Sequence, residues 1–142
     1  MVPDGLALPD DLEGSRNCGL VALSVVARCS YAEAVRAYTD VFRSAYQRHP
    51  RKNWKGGTTW SLVVKAMASL GVQHSHTEVT SAVTLQRLAQ FTRRDALYLV
   101  CTTGHAQVVK NGWVIDQRGA VPVEQHWGRR KRVTAFHAIK ED

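Results

Sequence analysis

Cysteine is scarce in this chain: three occur in 142 residues, Cys18, Cys29 and Cys101. An odd count at irregular spacing excludes a self-contained disulfide framework and a paired Cys-x-x-Cys zinc site, and leaves at least one thiol free. Long apolar runs are missing too, since no stretch approaches the roughly 18 residues needed to cross a bilayer. The opening Met-Val-Pro-Asp-Gly-Leu lacks the basic flank and apolar core of a signal peptide. A cytoplasmic protein with no membrane partner is therefore expected. No internal repeat or low-complexity segment occurs, apart from the short basic run Arg129-Arg130-Lys131-Arg132. Acidic residues are outnumbered, 12 against 19 basic ones, for a formal net charge of +7 and a pI near 9.7. Such a balance favours acidic partners, whether nucleic acid, an anionic protein surface or anionic lipid, without choosing among them.

What is present is an ordinary globular mixture, 44% apolar and 22% charged, in a length that suits one domain over residues 1–142. Residues 1–14 hold two prolines, two glycines and four acidic side chains and read as an irregular lead-in. Asn17 then precedes a mostly apolar segment, Cys18 to about Arg28, as the N-cap of a buried helix. Ser30 and Glu33 form a capping box for a second helix from Tyr31 to about Tyr46. The stretch Gln47 to Gly57 is basic and glycine-containing, so an exposed loop is expected there. Thr58 or Thr59 can cap a third helix that runs to about Leu70 and is ended by Gly71. A short strand near Val72 to His76 and a short helix capped by Thr84 follow. From Ala96 the period changes: Ala96–Cys101, His105–Lys110, Trp113–Asp116 and Val133–Ile139 are short β-rich runs and predict an antiparallel sheet. The fold class expected is α+β, with N-terminal helices packed on a C-terminal antiparallel sheet.

Chemistry concentrates at Cys18. A thiolate is the reactive form of cysteine, and a cysteine in the first turn of a helix has that form favoured by the helix dipole and by unpaired N–H groups. Cys29, at the far end of the same helix, and Cys101, within an apolar strand, look like packing residues. A cysteine nucleophile needs a base and a group to orient it. Asn111-Gly112 is a strong two-residue hairpin signal; it pairs Lys110 with Trp113, Val109 with Val114, Val108 with Ile115 and Gln107 with Asp116. His105 and Gln107 share a face by alternation. Asp116 thereby becomes a diagonal neighbour of His105, about 7–8 Å away between backbones and within side-chain reach. A carboxylate inside such an apolar hairpin needs a partner, and a histidine to be held in one tautomer suits it.

Asn17-Cys18-Gly19 opening one helix, Gly57-Thr58 opening another, and Gly104-His105 followed eleven residues on by Asp116 together resemble the papain-like cysteine peptidases. The closest likeness is to the C39-like branch, which includes bacteriocin-leader-processing peptidases and many small phage and bacterial proteins; the motifs span residues 12 to 118 in order. That resemblance implies a papain-like fold, Cys18 as nucleophile, His105 as general base and acid, and Asp116 as the orienting carboxylate. It implies a thioester acyl-enzyme formed on a peptide, isopeptide or other amide bond, no cofactor, and the host cytoplasm as the compartment if the chain is phage-encoded. One position departs from the pattern: the family's oxyanion glutamine, about six residues before the cysteine, is Leu12 here. The backbone N–H of Cys18 remains a donor, with Asn17, Ser15 and Gln107 as candidates for a second. Loss of one oxyanion donor costs about 10²–10³ in rate, which weakens the expectation of activity.

Three further groups have functional and structural readings. Trp54, Gly57 and Trp60 are substrate-binding candidates beside the second motif. His74 and His76, two apart on a strand, could point one way and bind a metal, but no third ligand is suggested nearby and no metal is assigned. Arg129, Arg130, Lys131 and Arg132 could contact phosphates while Trp54, Trp60 or Trp127 stacks on bases; a solvated charged edge is the plainer reading. The rival to an enzyme is thus a non-catalytic papain-like protein whose basic surface binds nucleic acid or an acidic host protein.

Overall fold

A computed structural model describes residues 1–12, 17–51, 54, 57–77, 79 and 82–140. The chain begins with three helices, α1 (Cys18–Ala27), α2 (Tyr31–Tyr46) and α3 (Trp60–Ser69). Strand β1 (His74–Thr77) and helix α4 (Leu85–Phe91) come next. Strands β2 (Leu97–Thr102), β3 (His105–Lys110), β4 (Trp113–Asp116), β5 (Gly119–Pro122) and β6 (Val133–Ile139) complete it, with a 3₁₀ turn at Val123–Gln125. The six strands of the described residues join one antiparallel sheet in the order β1-β6-β2-β3-β4-β5. The protein is an α+β mixture.

The first helix is apolar all round, and every residue from Gly19 to Val26 is buried, as a helix enclosed by core must be. It is stopped by Arg28 in the left-handed conformation, φ 53°. Among the described residues, no single helix is long and apolar enough to cross a membrane. Helix α2 carries the full capping box: Ser30 Oγ accepts from the Glu33 N–H at 3.0 Å, and Glu33 Oε1 accepts from the Ser30 N–H at 3.2 Å. Alternation along the strands splits the core. Leu97, Leu99, Ala106, Val108 and Ile115 pack with α1, α2 and α3, whereas Tyr98, Val100, Val109 and Val114 pack with α4 and Val123.

The hairpin at Asn111-Gly112 has the expected register, Lys110 with Trp113, Val109 with Val114 and Val108 with Ile115. Both turn residues have positive φ, 51° and 77°, which is why asparagine and glycine stand there. Four features add to the sequence reading or depart from it. The lead-in is tied down: Leu6 is buried in the helix-side core, the Asp4 carbonyl accepts from Lys110 Nζ, and the Asp11 carboxylate accepts from the Tyr31 and Ala32 N–H groups at the start of α2. Neither threonine caps α3 with its side chain; the Thr59 N–H instead donates to the Tyr38 hydroxyl, and Thr58 is used elsewhere. Strand β1 starts at His74, two residues after Val72. Strand β5 and the 3₁₀ turn lie in a stretch to which the sequence reading assigns no element, and β5 extends the sheet beyond β4.

Candidate active site

Cys18 is the first residue of α1, and the loop before α3 closes over its neighbours. Asn17 Oδ1 accepts the Leu20 N–H at 3.1 Å, the N-cap bond, and also the Thr58 hydroxyl at 3.3 Å. Gly19 makes this approach possible, since a Cβ there would collide with Thr58 Oγ1. The two short motifs, Asn17-Cys18-Gly19 and Gly57-Thr58, therefore meet in space. Gly57 itself has φ 76° with open space around it, so its requirement is conformational rather than steric.

His105 opens β3 and Asp116 ends β4. His105 Nε2 lies 3.1 Å from Asp116 Oδ2, and both residues are buried, at 6% and 2% exposure. Cys18 interacts with the same imidazole; with Nε2 engaged by the carboxylate, Nδ1 is the nitrogen left for the sulfur. Asp116 receives more than one histidine. His126 Nε2 is 2.8 Å from the same Oδ2, the Trp127 indole N–H donates to it at 3.1 Å, and the Arg118 N–H donates to Oδ1 at 2.9 Å. The tautomer of His126 follows from its second nitrogen, because Nδ1 accepts the Gly128 N–H at 3.0 Å and Nε2 must then carry the proton it gives to Asp116.

Charges follow this geometry. Burial alone would push the Asp116 carboxyl up, but donors from His105, His126, Arg118 and Trp127 hold it well below the usual carboxylate range. Burial would pull His105 down; hydrogen bonds to Asp116 and Cys18, and the negative charge on each, raise it to about 9 instead. For Cys18 burial again opposes ionisation, and the His105 bond, the Ala106 N–H, the imidazolium charge and the Gly19 N–H overcome it, leaving the thiol below its ordinary value. The other two cysteines move the opposite way. Burial, then Glu33 and Asp11, raise Cys29; burial, with a contribution from the Cys18 charge, raises Cys101 despite a bond from Thr134. All three are free thiols, and only Cys18 has its ionisation favoured, by the imidazole beside it.

The remaining sequence-derived candidates divide. Ser15 lies outside the described residues. Gln107 is turned away from the sulfur: it is fully buried, its Nε2 donates to the Val100 carbonyl at 2.7 Å and its Oε1 faces Thr102. The side-chain oxygen of Asn17 is committed to the cap and to Thr58. Trp54 packs edge-on against Tyr38 at 5.6 Å, within the helix-side core. Trp60 leans on His137, 5.9 Å between ring centroids. The basic run is not a plain strand edge, because the carbonyls of Arg129 and Lys131 accept the first N–H groups of α4, from Gln86 and Leu85. Lys131 Nζ bonds the Thr103 carbonyl and sits 4.8 Å from the Trp127 ring, whose other cationic neighbour is Arg118 at 4.9 Å. Trp127, 45% exposed, also meets the His105 ring edge-on at 4.9 Å, so the ring that carries these two cations also borders the imidazole.

His126 and Trp127 as partners of Asp116 were not foreseen. They stand on the loop between the 3₁₀ turn and β6, where no spacing rule ties them to a hairpin ten residues earlier. The one local signal is His126-Trp127-Gly128, in which a glycine N–H two residues on can return to an imidazole. His105, Asp116 and His126 bring donor atoms within 4.8 Å of one another, but with Nδ1 of His126 taken by Gly128 the group is arranged as N–H donors around one acceptor oxygen. Comparison with family models, with curated proteins and with solved structures finds no match.

A second imidazole cluster lies two strands away. His74 Nδ1 is 3.0 Å from His137 Nδ1, and His76 Nδ1 is 3.4 Å from His137 Nε2. His137, on β6, supplies the third residue that the sequence did not bring to His74 and His76. Burial first, then the two neighbouring imidazoles, lower it to about 4.

Proposed function

We propose that this chain is a thiol-dependent acyl-transfer enzyme of the papain-like kind, acting on peptide, isopeptide or other amide bonds, with Cys18 as nucleophile, His105 as base and acid, and Asp116 as orienting carboxylate. The single observation that carries this reading is the line Cys18–His105–Asp116, in which one imidazole uses Nε2 toward a buried carboxylate and its other nitrogen toward a thiol at a helix N-terminus. In the ground state the proton rests on His105 and the thiolate faces it. The Cys18 sulfur attacks the carbonyl carbon; the oxyanion that forms lies near the first N–H groups of α1. The Nδ1 proton then passes to the leaving amine, and the C–N bond breaks to give a thioester. Water, activated by the now neutral Nδ1, releases the acid and restores the pair. Asp116 keeps the Nε2–H oriented throughout and stays ionised. With leucine at position 12, the second oxyanion donor is not a glutamine there, and turnover is expected to be slow.

The test needs no substrate. Alkylation of each cysteine by iodoacetamide, followed by peptide mass spectrometry across pH 5 to 9, is compared in the native chain and in His105→Ala. At pH 6.5 an ordinary thiol is about 1% thiolate, so full ionisation adds about 100-fold, of which lower intrinsic nucleophilicity returns roughly half on a logarithmic scale. Cys18 is expected to react about tenfold faster than Cys29 and Cys101, and to lose that lead without His105. Equal, sluggish reaction at all three would sink the proposal.

A second reading draws on Arg118 and Lys131 around the exposed Trp127: a binding protein for acidic partners, protein or nucleic acid, on the papain-like scaffold. It requires salt-sensitive association that survives Cys18→Ala.

A further inference from the structure

We propose that His74, His76 and His137 form a binding site for a divalent transition-metal ion of the zinc class, which would fasten the edge strand β1 to β6. The three residues share no side chain with the cysteine site, so this inference stands apart from the function proposed above.

Register places them. His76 is paired directly with His137, and His74, two residues away, is paired with Ile139, so alternation sets all three imidazoles on one face of two neighbouring strands. Trp60 packs against His137 and walls one side. The His74–His137 and His76–His137 nitrogen separations, 3.0 and 3.4 Å, fall on opposite nitrogens of His137; they place the rings in contact at about the spacing of two ligands on a tetrahedral ion, about 3.4 Å for metal–nitrogen bonds of 2.0–2.1 Å, without yet converging on one point. Imidazole suits zinc, copper and nickel, and does not suit magnesium or calcium.

The two contacts fall on opposite nitrogens of His137, so the ring now presents its Nδ1–Cε1–Nε2 edge to the pair. A half-turn about the Cβ–Cγ bond exchanges Nε2 with Cε1, the atom that lies between those nitrogens. One donor of His137 then faces both partners, and an ion takes one nitrogen from each ring with a fourth position left for water. His137 is 6% exposed and fixed by the sheet, whereas His76 is exposed and His74 half-buried. The outer two can therefore adjust to the ion while the inner one anchors it. Without metal, the cluster is held by shared N–H···N bonds between rings; with metal, four residues of edge strand gain a tie to the sheet interior.

The experiment titrates Zn²⁺ into the full chain carrying Cys18→Ser, which removes the competing thiolate, by isothermal calorimetry in a non-chelating buffer; Co²⁺ absorption reports the donors. One ion per chain is expected, with d–d bands and no thiolate-to-cobalt charge-transfer band. His74→Ala and His76→Ala, both at sites with exposed surface and checked for folding by circular dichroism, should each weaken binding by about tenfold or more, whereas His105→Ala and His126→Ala should leave it unchanged. Absence of binding, affinity insensitive to both His74→Ala and His76→Ala, a charge-transfer band, or loss of binding with His105→Ala would each overturn the proposal.

Discussion

Five of the six histidines gather in two groups that share a sheet and differ in one ingredient. Around Asp116, two imidazoles and an indole all donate to a single carboxylate oxygen, and His105 is held up to about 9. Around His137, two imidazoles meet a third, and that third is pushed down to about 4. Burial acts against the charged imidazole in both places. The anion decides the sign: where a carboxylate and a thiolate stand by, an imidazolium is the stable form, and where only other imidazoles do, the neutral ring is. One cluster is thus built to hold protons and the other to offer lone pairs.

The largest expected effect comes from removing the ingredient itself. Asp116→Ala leaves four N–H donors without their acceptor and should cost about 3–5 kcal/mol of stability by urea unfolding at neutral pH. Because the folded-state pKa of Asp116 is depressed, its contribution is present above the ordinary carboxylate value and is lost as pH falls through the lower folded value. The gap between variant and parent should therefore persist to mildly acid pH and close only below it; a gap already closed at pH 5 would contradict the assignment. His105 has the opposite sign. Its raised pKa contributes stability that is complete below about 6.5 and is lost as pH rises through about 9, so the native chain should lose stability over that interval and His105→Gln should not.

A middling effect is expected from the second imidazole. His126→Ala removes one of three donors to Asp116 Oδ2, making that oxygen a better acceptor for His105 alone while freeing the Trp127 loop. We expect the alkylation profile of Cys18 to shift along the pH axis by about one unit, equivalent to about 1.4 kcal/mol; an unmoved profile would confine His126 to a structural role. Smaller still is the effect of charge near the sulfur. Arg118 and Lys131 lie two contacts of about 5 Å from the His105 ring, roughly one Debye length at 0.1 M salt. Iodoacetate should gain on iodoacetamide at Cys18 by about two- to fourfold at low salt, and the advantage should vanish in Arg118→Gln/Lys131→Gln. The smallest change is His76→Ala, at an exposed position, which should alter stability by about 0.5 kcal/mol or less while the His137 ring, followed by NMR in metal-free protein, titrates closer to its ordinary value.

How much of this was legible beforehand depends on how local each cause is. The starts of α1 and α2 follow from Asn17, Ser30 and Glu33, caps that act within one turn. The register of β3 and β4 follows from Asn111-Gly112, and with it the nearness of His105 and Asp116. Gln107 is a candidate oxyanion donor by residue type, but strand parity cannot reveal that the Val100 carbonyl claims its amide. The roles of His126 and Trp127 depend on a loop returning over β4, and that of His137 on β1 pairing with the last strand. Both are long-range arrangements that no spacing encodes. Strand β5 was missed because its half-buried residues never alternate.

The tight turn at Asn111-Gly112 has a temporal consequence. A hairpin of this kind closes in about 1–10 μs from residues that are neighbours in the chain, so His105 and Asp116 can meet as soon as both have been synthesised. Cys18 emerges from the ribosome far earlier and has neither partner until the C-terminal strands exist and pack beneath its helix. During that interval it is an ordinary, largely protonated thiol. The same sequence separation that slows assembly of the site also keeps the sulfur quiet until the fold that governs it is complete.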